Sequence, residues 1–168
     1  LVEAVDLYKT AVSLAGLPPP SESDGVQGED LTPLLSADDP GTRYAFSQFA
    51  KGYQWSKELQ AEEAWNTCGQ VDRSDFSVMG FSVRASDGWR YTEWRKWNGT
   101  AQRAEWGSSS RGDTLLAREL YAQPDECGGD FDCQSPVDNV WNSTPAHRAI
   151  SDSLAAVVRE HFQHDYSV

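Results

Sequence analysis

The chain has 168 residues, a net charge of −12 and 39% hydrophobic residues. It is long enough to bury one modest core and too apolar to be disordered on composition. An excess of carboxylates repels a phosphate backbone, which argues against nucleic acid as a partner, and no apolar run has the length of a membrane span.

The chain opens at Leu1 with no signal-peptide pattern, and this start is read as an internal cut, with more of the natural protein upstream. Residues 2–15 predict a helix. Val5, Tyr8, Val12 and Ala15 fall on one face, and Ala4, Leu7, Ala11 and Leu14 fill much of another. So wide an apolar surface expects burial against something large. Glu3 and Asp6 suit the positive end of this helix, and Gly16 with Pro18–Pro20 stops it. Residues 18–43 are rich in Pro, Ser, Gly and Asp and predict an acidic surface loop tacked down by Leu31, Leu34 and Leu35. Tyr44–Phe49 predicts a strand, and Lys57–Trp65 a short helix in an irregular stretch over 51–77.

Residues 78–106 carry the clearest local pattern. Met79, Phe81 and Val83 alternate with Gly80, Ser82 and Arg84. The turns Ser86-Asp87-Gly88 and Asn98-Gly99 then separate aromatic and β-branched runs, which predicts an antiparallel meander of three strands. A fourth strand is predicted at Leu115–Tyr121, followed by a long loop over 122–143. Thr144 as N-cap and Pro145 at the first helical position open a last helix, whose face is Ile150, Leu154, Val157, Val158 and Phe162. The fold class is therefore α+β: a small four-stranded antiparallel sheet with a packed C-terminal helix and long loops.

Of three cysteines, Cys127 and Cys133 have a spacing that closes a small disulfide loop in an oxidising compartment or leaves two thiols. Cys68 stands apart, and no set of Cys and His has zinc spacing. Asn98-Gly99-Thr100 and Asn142-Ser143-Thr144 fit the glycosylation sequon, and Asn66-Thr67-Cys68 is a weaker variant. Arg111-Gly112-Asp113 reads as a chance loop triplet. His161, His164 and Asp165 read as a solvated helix end, where cationic His suits the negative pole.

Several segments, taken in order, resemble the sulfatases of the alkaline-phosphatase-like superfamily. Val5-Asp6-Leu7-Tyr8-Lys9-Thr10 with Leu14-Ala15-Gly16-Leu17-Pro18 is similar to the family's V-D-L-x-P-T…L-A-G-L-P helix, with Lys9 in place of proline. Gly28-Glu29-Asp30-Leu31-Thr32-Pro33-Leu34-Leu35 is similar to its G-x-S-L-x-P-L-L segment, with Asp30 in place of serine. Ala45–Phe49, Met79–Arg84 and Trp89–Trp94 resemble the iduronate-2-sulfatases more than sulfatases at large. Ala117–Tyr121 is similar to the A-x-E-L-Y-D strand; here Ala122 replaces the aspartate, and a Cys-containing insert precedes Asn139. The resemblance covers nearly the whole chain.

The resemblance implies that residues 1–43 end a large α/β domain and residues 44–168 form the C-terminal subdomain. It implies a sulfuric ester hydrolase that removes 2-O-sulfate from iduronate in glycosaminoglycans, in a lysosomal or secreted glycoprotein. Its Ca²⁺ and its formylglycine, made from a C-x-P-S-R motif, would lie in the part upstream of Leu1, because none of the three cysteines here stands in that motif. The partners implied are that missing catalytic part and a sulfated glycan. The chain itself would be scaffold and pocket wall, inactive alone. Candidate substrate contacts are Lys51 and Trp55, on a loop where aromatic rings and a cation suit a sulfated sugar, and Arg84, mid-strand, which would hold an anionic sugar or pair with an upstream acid. The −12 charge opposes a sulfated substrate, unless the missing part is basic or an acidic compartment titrates carboxylates. Seven Trp, six Tyr and six Phe keep a second function open: an aromatic-rich glycan-binding or interaction domain without catalysis. Within the first, a sulfatase of another specificity also stands.

Overall fold

The structure is a computed structural model that describes residues 1–36, 41–51, 72–107, 114–122 and 138–163. Trp55, Cys68, Cys127, Cys133, the Lys57–Trp65 segment, the Arg-Gly-Asp triplet, His164 and Asp165 lie outside the described residues. The chain forms two compact units, Leu1–Ala45 with Ala85–Asp87, and Phe46–Arg84 with Gly88–Val168.

The first unit is built on helix α1, Asp6–Leu14. The helix is shorter than the predicted 2–15 and ends in the motif that Gly16 permits. Gly16 has φ +64°, its amide donates to Ser13 O, and Leu17 N donates to Val12 O. The residue it buries is Asp6, 4% exposed. Asp6 accepts the amides of Glu3 and Glu29, each at 2.9 Å, with the Arg43 guanidinium 4.0 Å away. Two residues later in the loop, Leu31 N donates to Thr10 Oγ1 at 2.9 Å. Gly28 is required where this loop crosses the helix start: it has φ +84°, and a Cβ there would stand 2.2 Å from Val5 O. The segments Val5–Thr10 and Gly28–Leu35 are thus clasped together. The apolar faces of α1 are left uncovered by the described residues, with Leu7 62% and Leu14 63% exposed.

The sheet comprises β1 (Tyr44–Lys51), β2 (Val78–Ala85), β3 (Trp89–Asn98), β4 (Arg103–Ala104) and β5 (Leu115–Ala122). The order is β1-β2-β3, with both β5 and the short β4 paired antiparallel to β3. The α+β class, the Ser86–Gly88 turn and the four main strands are as predicted. The third strand of the meander is not: Thr100–Trp106 yields only β4, and β5 takes the flank of β3. The cause is local. Gly99 lies so close to the Ser74 and Phe76 carbonyls that a Cβ would sit 2.2 Å from Ser74 O, and Gln102 takes a left-handed φ of +51°. This geometry ends the hairpin after two rungs, and Lys96 N donates instead to Thr114 O, next to β5.

Helix α2, Pro145–Gln163, lies on one face of β3. Thr144 Oγ1 accepts the His147 amide at 3.1 Å, the cap that the sequence predicts. Leu154, Ala155, Val158 and Ser151 are buried against Phe81, Val83, Tyr91 and Leu120. Register puts Phe81 and Arg118 on either side of Glu93, and Val83 and Leu120 on either side of Tyr91.

This core contains a charge. Glu93 is 0% and Arg95 3% exposed. Arg95 Nε donates to Glu93 Oε1, Tyr91 Oη donates to Glu93 Oε2 at 3.1 Å, and the Arg95 guanidinium lies 4.7 Å from the Trp106 ring. Burial, and then the Glu93 charge, push the Tyr91 hydroxyl well above its ordinary range and keep it a donor. At the sheet edge, Asn139 fastens onto β5: its Oδ1 accepts Leu120 N at 2.9 Å and its Nδ2 donates to Arg118 O at 3.0 Å.

Two outcomes follow for stability, the first read by unfolding in urea. Glu93→Gln leaves Arg95 a buried, uncompensated charge and should lose about 3–5 kcal/mol, whereas the double change Glu93→Leu with Arg95→Met should lose less. Equal losses would mean that the pair is not coupled. Burial raises the Asp6 carboxyl, but the Glu29 and Glu3 amides and the Arg43 charge outweigh it and hold it below its ordinary 3.8. A carboxyl lowered by folding stabilises above its unfolded value and loses that contribution as pH falls through the folded one. Asp6→Asn should therefore cost about 1–2 kcal/mol at pH 7 and distinctly less near pH 3, as read from melting temperatures.

Candidate functional site

Alternation along β2 and β3 sends every second residue away from α2. On that outer face β2 presents Gly80, Ser82 and Arg84, and β3 presents Trp94, Thr92 and Arg90 directly opposite them. β5 adds Ala117, Glu119 and Tyr121 on the other side of the same β3 residues. These side chains are half-buried or exposed, apart from buried Gly80. Met79, Phe81 and Val83 turn the other way into the core, as the sequence predicts for Arg84's neighbours.

The centre of the face is Trp94. Its ring lies across Gly80, where a Cβ would come within 2.8 Å of it. A glycine at this rung is what lets the indole lie flat on the strand. Trp94 Nε1 donates to Glu119 Oε1 at 2.8 Å, and Lys51 Nζ stands 5.1 Å from the ring centroid. At that distance a cation is attracted to the indole face. Tyr121 bonds to Glu119 as well, and burial, with the Glu119 charge second, raises its hydroxyl above the ordinary value. Thr92 Oγ1 donates to Ser82 Oγ at 2.9 Å on the next rung. Beyond it Arg84 opposes Arg90, whose guanidinium carbon lies 5.2 Å from the Tyr121 centroid.

The structure therefore brings two of the three predicted substrate contacts, Lys51 and Arg84, to one face. Lys51 ends β1 rather than standing on a loop. It overlies Trp94, whose partner Gly80 is four residues from Arg84, so the two cations are separated by about 13 Å of strand. Sequence reasoning passed over Arg90, Trp94, Glu119 and Tyr121. Their signal was available, since all four stand at outward positions of the Trp89–Trp94 and Ala117–Tyr121 segments.

Asn98 is exposed at the end of β3 and accepts the Ala101 amide at 2.9 Å, so it makes the turn. Asn142 is exposed ahead of α2. His161 is not simply solvated: its ring stacks on Phe46 at 3.6 Å and meets the edge of Phe162 at 4.7 Å. Among the described residues no three or more His, Cys, Asp or Glu are grouped to hold a metal ion. No helix among the described residues is long and apolar enough to cross a membrane.

A second concavity, of about 930 Å³, opens on the helix side of the sheet. It is lined by the rings of Phe76, Phe81, Trp97, Trp106 and Phe162 together with Arg73, Arg103 and Glu105. Gln102 Nε2 donates to Arg73 O at 3.2 Å and Trp97 N to Ser77 O at 2.8 Å, which ties the rim to β3.

No family model and no curated protein matches the chain.

Gly80→Ala tests the outer face. The added methyl has no room beneath Trp94, so the ring should lift from Glu119 and Lys51. The Trp94 indole N–H resonance is expected to shift by several tenths of a ppm or broaden, on the order of what loss of one hydrogen bond produces. An unchanged resonance in the folded variant would show that the ring is not seated on Gly80.

Proposed function

We propose that this chain is the C-terminal part of a sulfuric ester hydrolase acting on a sulfated glycan. The specific substrate proposed is the 2-sulfate of iduronate in heparan- or dermatan-type chains, in a lysosomal or secreted protein. The observation that carries the reading is the hairpin of β2 and β3. Its two strands hold two of the three segments read as resembling the iduronate-2-sulfatases, Met79–Arg84 and Trp89–Trp94, and their outward side chains form a cationic, aromatic face. The apolar faces of α1 that the described residues leave uncovered support it too, because a helix apolar on two sides calls for further protein against it.

The role proposed for the chain is orientation. Lys51, Arg84 and Arg90 attract an anionic sugar and fix its register, and Trp94 offers a flat ring to a sugar face. Holding a substrate in a near-attack geometry lowers the barrier without taking part in bond making. The formylglycine and the metal belong to the upstream part in this reading, and the 168-residue chain alone is inactive.

The helix-side cleft favours a second reading, a glycan-binding domain with no catalytic partner. Its walls combine half-buried tryptophans with two arginines that form no ion pair among the described residues.

Sulfate release from a 2-sulfated iduronate disaccharide decides between them. The full-length protein should be active, with Ca²⁺ required, and this chain silent. Lys51→Ala and Trp55→Ala in the full-length protein should each raise KM by about tenfold, the equivalent of one exposed charge or stacking contact of about 1.4 kcal/mol. Full-length protein inert toward this and other sulfate esters would sink the enzyme reading and leave the binding one. Activity with KM unchanged in both variants would remove Lys51 and Trp55 from the pocket.

A further inference from the structure

Arg84 and Arg90 face each other across the β2–β3 ladder. Opposed residues in an antiparallel pair have Cβ atoms about 5 Å apart, and like charges there are destabilising. Both side chains are half-buried, which weakens the solvent screening that would otherwise absorb the repulsion. Neither forms an ion pair among the described residues, where the arginines within 4.0 Å of a carboxylate are Arg43, Arg95 and Arg118.

The acid nearest in register is Glu119, and it is engaged elsewhere, by Trp94 Nε1 and Tyr121. The Nε of Arg90 is buried and has no acceptor. Its contact with the Tyr121 ring satisfies part of the charge and supplies no oxygen. The Nε atoms of Arg118 and Arg159 are also without acceptors, but these two arginines act on Tyr91 beside the Glu93 carboxylate, where negative charge is already present. Beside Arg90 the corresponding charge is Glu119, already held by Trp94 and Tyr121, and among the described residues no carboxylate lies within 4.0 Å of Arg84 or Arg90. Lys51 and Lys96 stand on the same face, so four cations are set against Glu119 in a chain of net charge −12.

We propose that Arg84 and Arg90 form a clamp for one oxyanion, a sulfate or carboxylate group carried by a sugar. Two guanidinium forks opposed at this spacing converge on a single anion, and each presents paired N–H donors to two of its oxygens. The anion removes the repulsion between the arginines and gives the buried Nε its acceptor. The oxyanion chemistry rests on register and burial, whereas its attachment to a sugar rests on the glycan reading of the function. Arg90 thereby becomes a positioning residue for substrate, with Arg84 its partner.

The test is an NMR titration of the isotope-labelled 168-residue chain that follows the arginine Nε–H resonances. Inorganic sulfate is added first, then a 2-sulfated iduronate disaccharide, with chloride at matched ionic strength as the control. The Arg84 and Arg90 signals should move together and saturate with sulfate but not with chloride, and the disaccharide should saturate them at lower concentration. Arg90→Lys keeps the charge and loses the fork, so sulfate affinity should fall at least about tenfold with the fold retained. Arg84→Met should raise the melting temperature without sulfate and abolish the increase that sulfate gives.

Signals that ignore sulfate, or follow chloride equally, overturn the clamp. So does an Arg90 Nε–H already hydrogen-bonded and exchange-protected without added anion, since a carboxylate of the chain itself would then fill the site. Saturation by sulfate but not by either the sulfated or the desulfated disaccharide overturns the sugar as carrier. Saturation in a chain whose full-length protein releases no sulfate leaves the clamp standing and removes the enzyme.

Discussion

The carboxylate of Glu93, shut between sheet and helix, sets the conditions under which the larger unit folds. A buried charge needs an opposite charge and hydrogen-bond donors, or its desolvation is not offset. Both come from the same strand, two residues to either side, because alternation returns Tyr91 and Arg95 to the face of Glu93. Trp106 then covers Arg95, and Arg118 stands opposite Glu93 on β5. A slip of one residue would turn all three polar groups out and bring Arg90, Thr92 and Trp94 into the core. Register is therefore fixed by the charge as well as by the apolar side chains. The outer face inherits that register, and with it the opposition of Arg84 to Arg90 and of Gly80 to Trp94.

Much of this was legible in the sequence, for identifiable reasons. Alternation over Met79–Arg84 and the turn at Ser86–Gly88 are short-range properties of the chain, and they specified the hairpin and the inward face. Thr144 and Pro145 marked the start of α2 by local capping chemistry. What escaped depends on approach between distant segments. The failure of Thr100–Trp106 to extend as a strand follows from Gly99 meeting Ser74 and Phe76, and no window of sequence contains both. The buried ion pair escaped because Glu93 and Arg95 look like outward residues until Arg118 and α2 are placed around them. From the sequence, Arg84 is a mid-strand cation for an anionic sugar or an upstream acid. Its significance grew when pairing placed a second arginine opposite, which composition does not encode.

The charge balance has a spatial answer within this chain. A net charge of −12 describes the whole molecule, but a ligand senses charges within roughly 8–10 Å at physiological salt. Around Arg84 and Arg90 the described residues make the outer face locally cationic, with Glu119 bound to neutral donors and Lys51 about 13 Å further along the strand. A strongly acidic chain can thus carry a locally cationic surface without contradiction. The helix side differs in kind: its cleft combines five aromatic rings with glutamines, two arginines and Glu105. The two sides of the sheet suit different chemistries, one ion pairing and the other stacking.

The tie between Asn139 and β5 bears on assembly. An amide side chain has the same donor and acceptor as a peptide group, so Asn139 occupies the positions at Leu120 N and Arg118 O that a neighbouring strand would use. Near its middle β5 is therefore closed to a further strand, and sheet-to-sheet polymerisation through that edge is blocked by one residue rather than by a covering helix. The opposite end of the strand order is β1. A strand added to this sheet by another molecule cannot seat at the middle of β5 without displacing Asn139.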